Sequence, residues 1–120
     1  MNTPTTNDVV HQLAQLGRDL EAKQKEIRRL DEDAVRARAR YEVTFARNFL
    51  KAEGNLDIRK YTATIETADL KLDAEIADQI LRAAKESIKV LRDRLDIGRS
   101  LNSAIKSEWT AQGAAQGLAA

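Results

Sequence analysis

From Val9 onward, apolar side chains recur at steps of four and three: Val9, Leu13, Leu16, Leu20, Lys23, Ile27, Leu30, Ala34, Ala37, Tyr41 and Thr44. Nine of these eleven positions are apolar or aromatic, which is the a/d pattern of a coiled-coil seam sustained over almost five heptads. Gly17 costs roughly 1 kcal/mol against alanine in a helix, and the surrounding leucines override it. The seam carries one charged misfit, Lys23, the kind of residue that fixes register. After Tyr41 the phase slips. Tyr41, Phe45 and Phe49 step by four, which rotates the apolar stripe around the helix.

The helical pattern stops at Glu53-Gly54-Asn55. Gly54 stands where a helix C-terminus accepts a left-handed residue, and Asn55 is a good N-cap for a following helix. These residues predict an αα-hairpin reversal; the alternative is one continuous helix kinked at Gly54. Beyond the turn, Tyr61, Ala63 and Ile65 alternate with Thr62 and Thr64, a strand-like composition read here as helix for want of a pairing partner. From Asp73 the helical period returns through Ile76, Ile80, Ala84, Ile88, Leu91 and Leu95, and a four-step series follows at Ile97, Leu101, Ile105 and Trp109.

The predicted layout is a disordered segment over 1–7, a first long helix over 8–53 capped by Asn7 or Asp8, and a turn and second helical arm over 54–110. The second arm has room for a break within 62–73. Residues 111–120, with two glycines and no period, are expected to fray. The fold class is all-α: a long helical hairpin with a coiled-coil seam and a reversal at Gly54. Leu13, Leu16, Leu20, Ile27, Leu30 and Tyr41 are the seam residues, closing either on the second arm or on another subunit.

Composition sharpens this picture. The 120 residues are 42% hydrophobic but only 4% aromatic, and the single proline is Pro4, so no later residue forces a helix to end. So few bulky side chains predict a thin core and a homo-oligomer that shares it. The chain has no cysteine, hence no disulfide framework, and no apolar run long enough for a membrane span. With no leader read after Met1, the expectation is a soluble cytoplasmic protein.

Enzymatic chemistry finds little to work with. His11 is the one histidine and reads as a solvated residue of the first turn. Asp31 and Asp33 fall on different faces of a helix and do not make a catalytic pair. No ligand cluster has metal spacing, and no glycine-rich phosphate loop or nucleophile elbow is present, so no metal, cofactor or catalytic residue is expected.

The cations are more informative, because the net charge of +1 hides blocks of −2, +4, −4, +4 and −1 over 1–33, 34–61, 62–79, 80–106 and 107–120. Arg18, Lys25, Arg29, Arg36, Arg40, Arg47 and Lys51 step by seven and four, which lines one helix face for about 50 Å. Lys85, Arg92, Arg99 and Lys106 step by seven and make a second stripe of about 30 Å. Such spacing can follow a phosphate backbone. It also fits a plainer role: Glu21–Lys25 and Glu32–Arg36 are solubilising i,i+4 pairs, and the hairpin brings the basic block 34–61 beside the acidic block 62–79. Tyr41, Phe45 and Phe49 read as hairpin core near the turn, and Trp109 as an exposed contact.

Three stretches carry a family resemblance: "YEVTFARNFLKAEG" (41–54), Arg59-Lys60, and "LRDRLDIGRSLNSAIKSEW" (91–109). This layout resembles small helical proteins of bacteriophage replication and recombination modules, and the last stretch is similar to the C-terminal helix of UvsY-type recombination mediators. The resemblance implies a non-enzymatic oligomer, in the cytoplasm of a bacterial host, that binds single-stranded DNA and helps load a recombinase, alongside a single-strand-binding protein. By position it implies that Arg59, Lys60, Lys89, Arg92, Arg94 and Arg99 face phosphates; the stripe reading adds Lys85 and Lys106. The competing readings are a coiled-coil adaptor or scaffold, and an inhibitor that occupies a host protein's groove with one helix.

Overall fold

The computed structural model describes residues 5–119 and holds three helices: α1 (Thr6–Lys51), α2 (Leu56–Glu66) and α3 (Ala68–Ala119). Among the described residues there is no strand, and the fold is an all-α helical hairpin. The disorder expected over 1–7 falls partly on residues 1–4, which lie outside the described residues, as does Ala120.

α1 starts earlier than its periodicity shows. The Asp8 N–H donates to Thr5 Oγ1 (3.2 Å) while the Thr5 N–H donates to Asp8 Oδ2 (3.1 Å), a reciprocal capping box that satisfies two free donors. The cap is therefore Thr5, not Asn7 or Asp8. Hydrogen bonds from the Thr5 backbone and then its hydroxyl hold the Asp8 carboxyl below its ordinary 3.8.

At the other end α1 stops at Lys51, and the chain reverses through Gly54, whose φ of +109° disfavours any side chain. Asn55 Oδ1 accepts the Ile58 N–H at 2.9 Å and opens α2. The threonine-rich stretch is helical because its hydroxyls are absorbed locally. Thr62 Oγ1 donates to the Ile58 carbonyl and Thr64 Oγ1 to the Lys60 carbonyl, both at 2.8 Å. The break expected within 62–73 is one residue, Thr67. Its φ is −109°, its hydroxyl donates to the Ala63 carbonyl at 2.7 Å, and its side chain is buried.

The chain divides into two compact units. Lys25–Glu86 contains the reversal, and within it α1 and α3 run antiparallel around a core of Ala34, Ala63, Ala74, Leu81 and Ala84. Alanine dominates because small side chains let helices approach closely. Arg38, Tyr41 and Glu42 of α1 line one cleft with Lys71, Ala74, Glu75 and Asp78 of α3. The other unit joins the chain up to Gln24 to the chain from Ser87 onward, with Val9 and Ile88 buried. There a Cβ built on Gly98 would stand 2.7 Å from Leu13 Cδ2, so the glycine lets α1 and α3 touch.

All eleven α1 seam positions, from Val9 to Thr44, are buried or half-buried. On α3 the periodic reading needs correction. Ala84 and Ile88 are buried and Leu91, Leu95 and Ile105 half-buried, as the period has them, but Ile76, Ile80, Ile97 and Leu101 are exposed and Ala74 and Leu81 complete the packed face. Bulky side chains thus stand on both the packed face of α3 and its exposed one. The tail also differs: α3 continues to Ala119 where fraying is expected, because the alanines of 111–119 favour helix and outweigh Gly113 and Gly117.

Candidate nucleic-acid interface

Each candidate cation sits on a helix, so its direction follows from where that helix packs. In Lys25–Glu86, Arg59 is half-buried and committed to the fold. Its Nε donates to the Phe49 carbonyl at 3.2 Å and its guanidinium lies 4.9 Å from the Phe49 ring centroid. Phe49 lies in the last turn of α1, where carbonyls lack intrahelical partners and a cation is favourable. Arg59 thus ties α2 to the end of α1. Lys60 and Lys85 are exposed in the same unit.

The first basic stripe faces outward. Lys25, Arg29, Arg36, Arg40, Arg47 and Lys51 are all exposed. Arg36 is clipped to Glu32 by bonds of 3.0 and 2.8 Å, and the cross-hairpin ion pair of Arg38 with Asp78 uses an arginine outside the stripe. Arg18, in the other unit, donates to Gln15 at 2.7 Å.

In that other unit Lys89, Arg92, Arg94, Arg99 and Lys106 are exposed on α3, but they do not form one patch. Arg92, Arg99 and Lys106, seven apart, share a face. Arg94 stands on a different side, at the edge of an apolar groove of about 410 Å³ lined by Leu13, Leu16, Ile97 and Leu101. Arg99 approaches Asp96 at 3.9 Å with both side chains in solvent, a weak pair; Arg92 and Lys106 have no ion pair among the described residues. Trp109 follows Lys106 by three residues, and 69% of it is exposed. Of the other rings, Tyr61 is exposed, whereas Tyr41, Phe45 and Phe49 are half-buried in a ladder with centroids 6.1 and 6.4 Å apart.

Arg92, Arg99, Lys106 and Trp109 therefore combine a row of cations about 10 Å apart with an open indole, the two elements of sequence-tolerant single-strand binding. Residues that sequence reasoning missed are Thr5, which caps α1, and Asn102, whose Oδ1 is buried without a hydrogen-bond partner. Asn102 falls four residues after Gly98 on the packed face of α3, a signal visible only once Gly98 is known to touch Leu13.

Among the described residues no group of three or more His, Asp or Glu side chains is placed to hold a metal ion, and no helix is long and apolar enough to cross a membrane. Comparison of the chain with models of protein families, with curated proteins and with solved structures gives no match.

Proposed function

We propose that this chain is a non-enzymatic recombination accessory protein of bacteriophage type that self-associates and binds single-stranded DNA without sequence preference in the host cytoplasm, beside a recombinase or single-strand-binding protein. The observation that carries the reading is the alignment of Arg92, Arg99 and Lys106 on one exposed face of α3, with Trp109 open beside them. The cations would track phosphates, and the indole would stack on a base whatever its identity.

Anisotropy of a labelled oligonucleotide, titrated at several salt concentrations, tests this. Three phosphate contacts give a log–log salt slope of roughly −2, and Arg92→Ala with Arg99→Ala brings it near −0.7 with helicity unchanged. Absence of binding at low salt, or a double variant that binds like the parent, removes the reading.

The adaptor or scaffold reading is favoured by a different observation, the large apolar side chains left in solvent: Leu50, Ile65, Leu72, Ile76 and Ile80 are each at least 45% exposed. On that reading the chain holds proteins together and binds oligonucleotide no better than any other protein of the same charge.

A further inference from the structure

Within Lys25–Glu86 two apolar strips face solvent, and their edges carry opposite charge. The first is on α1: Val35, Val43 and Leu50 are 59%, 54% and 73% exposed, with Ala39 and Ala46 exposed between them. Steps of four, four, three and four hold these five residues within an arc of about 80°, on the side of α1 away from its seam. Arg40, Arg47 and Lys51 run along one edge, exposed and without an ion pair among the described residues; Glu42 stands on the other. The second strip is on α3: Leu72, Ile76 and Ile80 are 54%, 45% and 48% exposed. Asp69 stands at the amino-terminal end of this strip, Asp73 borders one edge and Glu75 the other, again exposed and without ion pairs among the described residues.

We propose that these strips are the two halves of one interface between copies of this chain, the α1 strip of one copy docking on the α3 strip of the next. The cations along one edge of the α1 strip face the acids around the α3 strip, which selects the partner and the register. The α1 strip runs for about 22 Å along its helix and the α3 strip for about 12 Å, so one α3 strip covers about half of the α1 strip. Ala39 and Ala46 leave two hollows about 10 Å apart on α1, and Leu72 and Ile80, about 12 Å apart, are knobs of a size to enter them. Nucleic acid is the poorer occupant of the α1 strip. Its phosphates would meet Arg40, Arg47 and Lys51, but the strip has no ring for a base to stack on.

The pairing of α1 with α3 is met either reciprocally in a two-fold pair or head to tail in a ring or filament. The inference rests on the self-association in the reading above and is independent of its DNA contact, since Arg92, Arg99 and Lys106 take no part.

The test uses the full chain without DNA, followed by analytical ultracentrifugation and circular dichroism. The wild type is expected to sediment as an oligomer that weakens with salt. One variant makes the α1 strip acidic (Arg40→Glu, Arg47→Glu, Lys51→Glu), and another makes the α3 strip basic (Asp69→Lys, Asp73→Lys, Glu75→Lys). Each alone is expected to lose the oligomer while remaining helical. Mixing them in equal amounts restores it, because every reversed edge then meets its complement. Val43→Asp, which removes apolar contact without touching a border charge, also gives monomers. A wild type that is monomeric at every concentration, reversed variants that still assemble, or folded variants that do not reassemble when mixed would each overturn the proposal. Assembly lost with oligonucleotide binding kept sinks the interface alone; binding lost in a chain that still assembles sinks the DNA reading alone.

Discussion

Arg38 Nη2 donates to Asp78 Oδ2 at 2.6 Å, joining α1 to α3 across forty residues of chain. The arginine belongs to the basic block 34–61 and the aspartate to the acidic block 62–79, so this bond is where the charge blocks meet directly inside the fold. Arg38 is 55% exposed and Asp78 27%, which places the pair in the weak, screened regime of surface ion pairs. A double-mutant cycle of Arg38→Ala and Asp78→Ala, read by urea unfolding, is expected to give a coupling of about 0.5 kcal/mol that falls with added salt. A coupling of several kcal/mol would mean that the pair is far better shielded than its exposure indicates.

The glycines separate by environment. A Cβ on Gly17 meets nothing within 4 Å, so Gly17→Ala should raise stability by about 1 kcal/mol through helix propensity. Gly54→Ala should lower it by about 1–3 kcal/mol, because φ is +109° and the new Cβ would stand 3.1 Å from Ile58 Cγ2. Chemical denaturation of the two variants side by side checks both signs.

Asn102 is half-buried with an unpartnered Oδ1. Alanine has no polar group to desolvate, fits within the space the asparagine occupies and favours helix, so Asn102→Ala is expected to stabilise the helix pair around it by about 1 kcal/mol. If that substitution destabilises instead, the side chain has a polar partner that this packing does not reveal.

Asp8 supplies a pH dependence. Its carboxyl titrates below its ordinary 3.8 because the folded chain donates hydrogen bonds to the charged form. A depressed folded value means that the stabilisation is complete above 3.8 and is lost as pH falls through the lower, folded value. The start of α1 should therefore fray in strong acid before the rest of the helix, seen as earlier amide exchange at Val9 and Val10. Asp8→Asn should remove that pH dependence.

The single-strand interface yields a further expectation. Trp109→Ala should weaken oligonucleotide binding by about 1–3 kcal/mol while leaving the salt slope unchanged, since stacking releases no counterions. In the wild type, the indole emission should be quenched on binding.

The sequence by itself determined the helices, the reversal and one packed face. Steps of three and four along α1 can bury only one stripe, and Gly54-Asn55 permits a turn that other residues resist, so those features are local and can be read locally. Which face of α3 packs was decided only by tertiary structure. α3 carries bulky residues on two faces, Ile76, Ile80, Ile97 and Leu101 on one and Leu81, Ile88, Leu91 and Leu95, interleaved with Ala74, Ala84 and Gly98, on the other, and hydrophobicity alone does not choose between them. Close approach of two helices favours the second, because interaxial distance is set by the size of the side chains between them. The same choice set the direction of every cation on α3. It placed Arg94, which the helical period sets about 200° from Arg92, beside the apolar groove and left Arg92 and Arg99 in solvent. Arg59 shows the limit most plainly: its role at the end of α1 depends on α2 folding back beneath Phe49, a contact between residues ten apart that no helical repeat encodes.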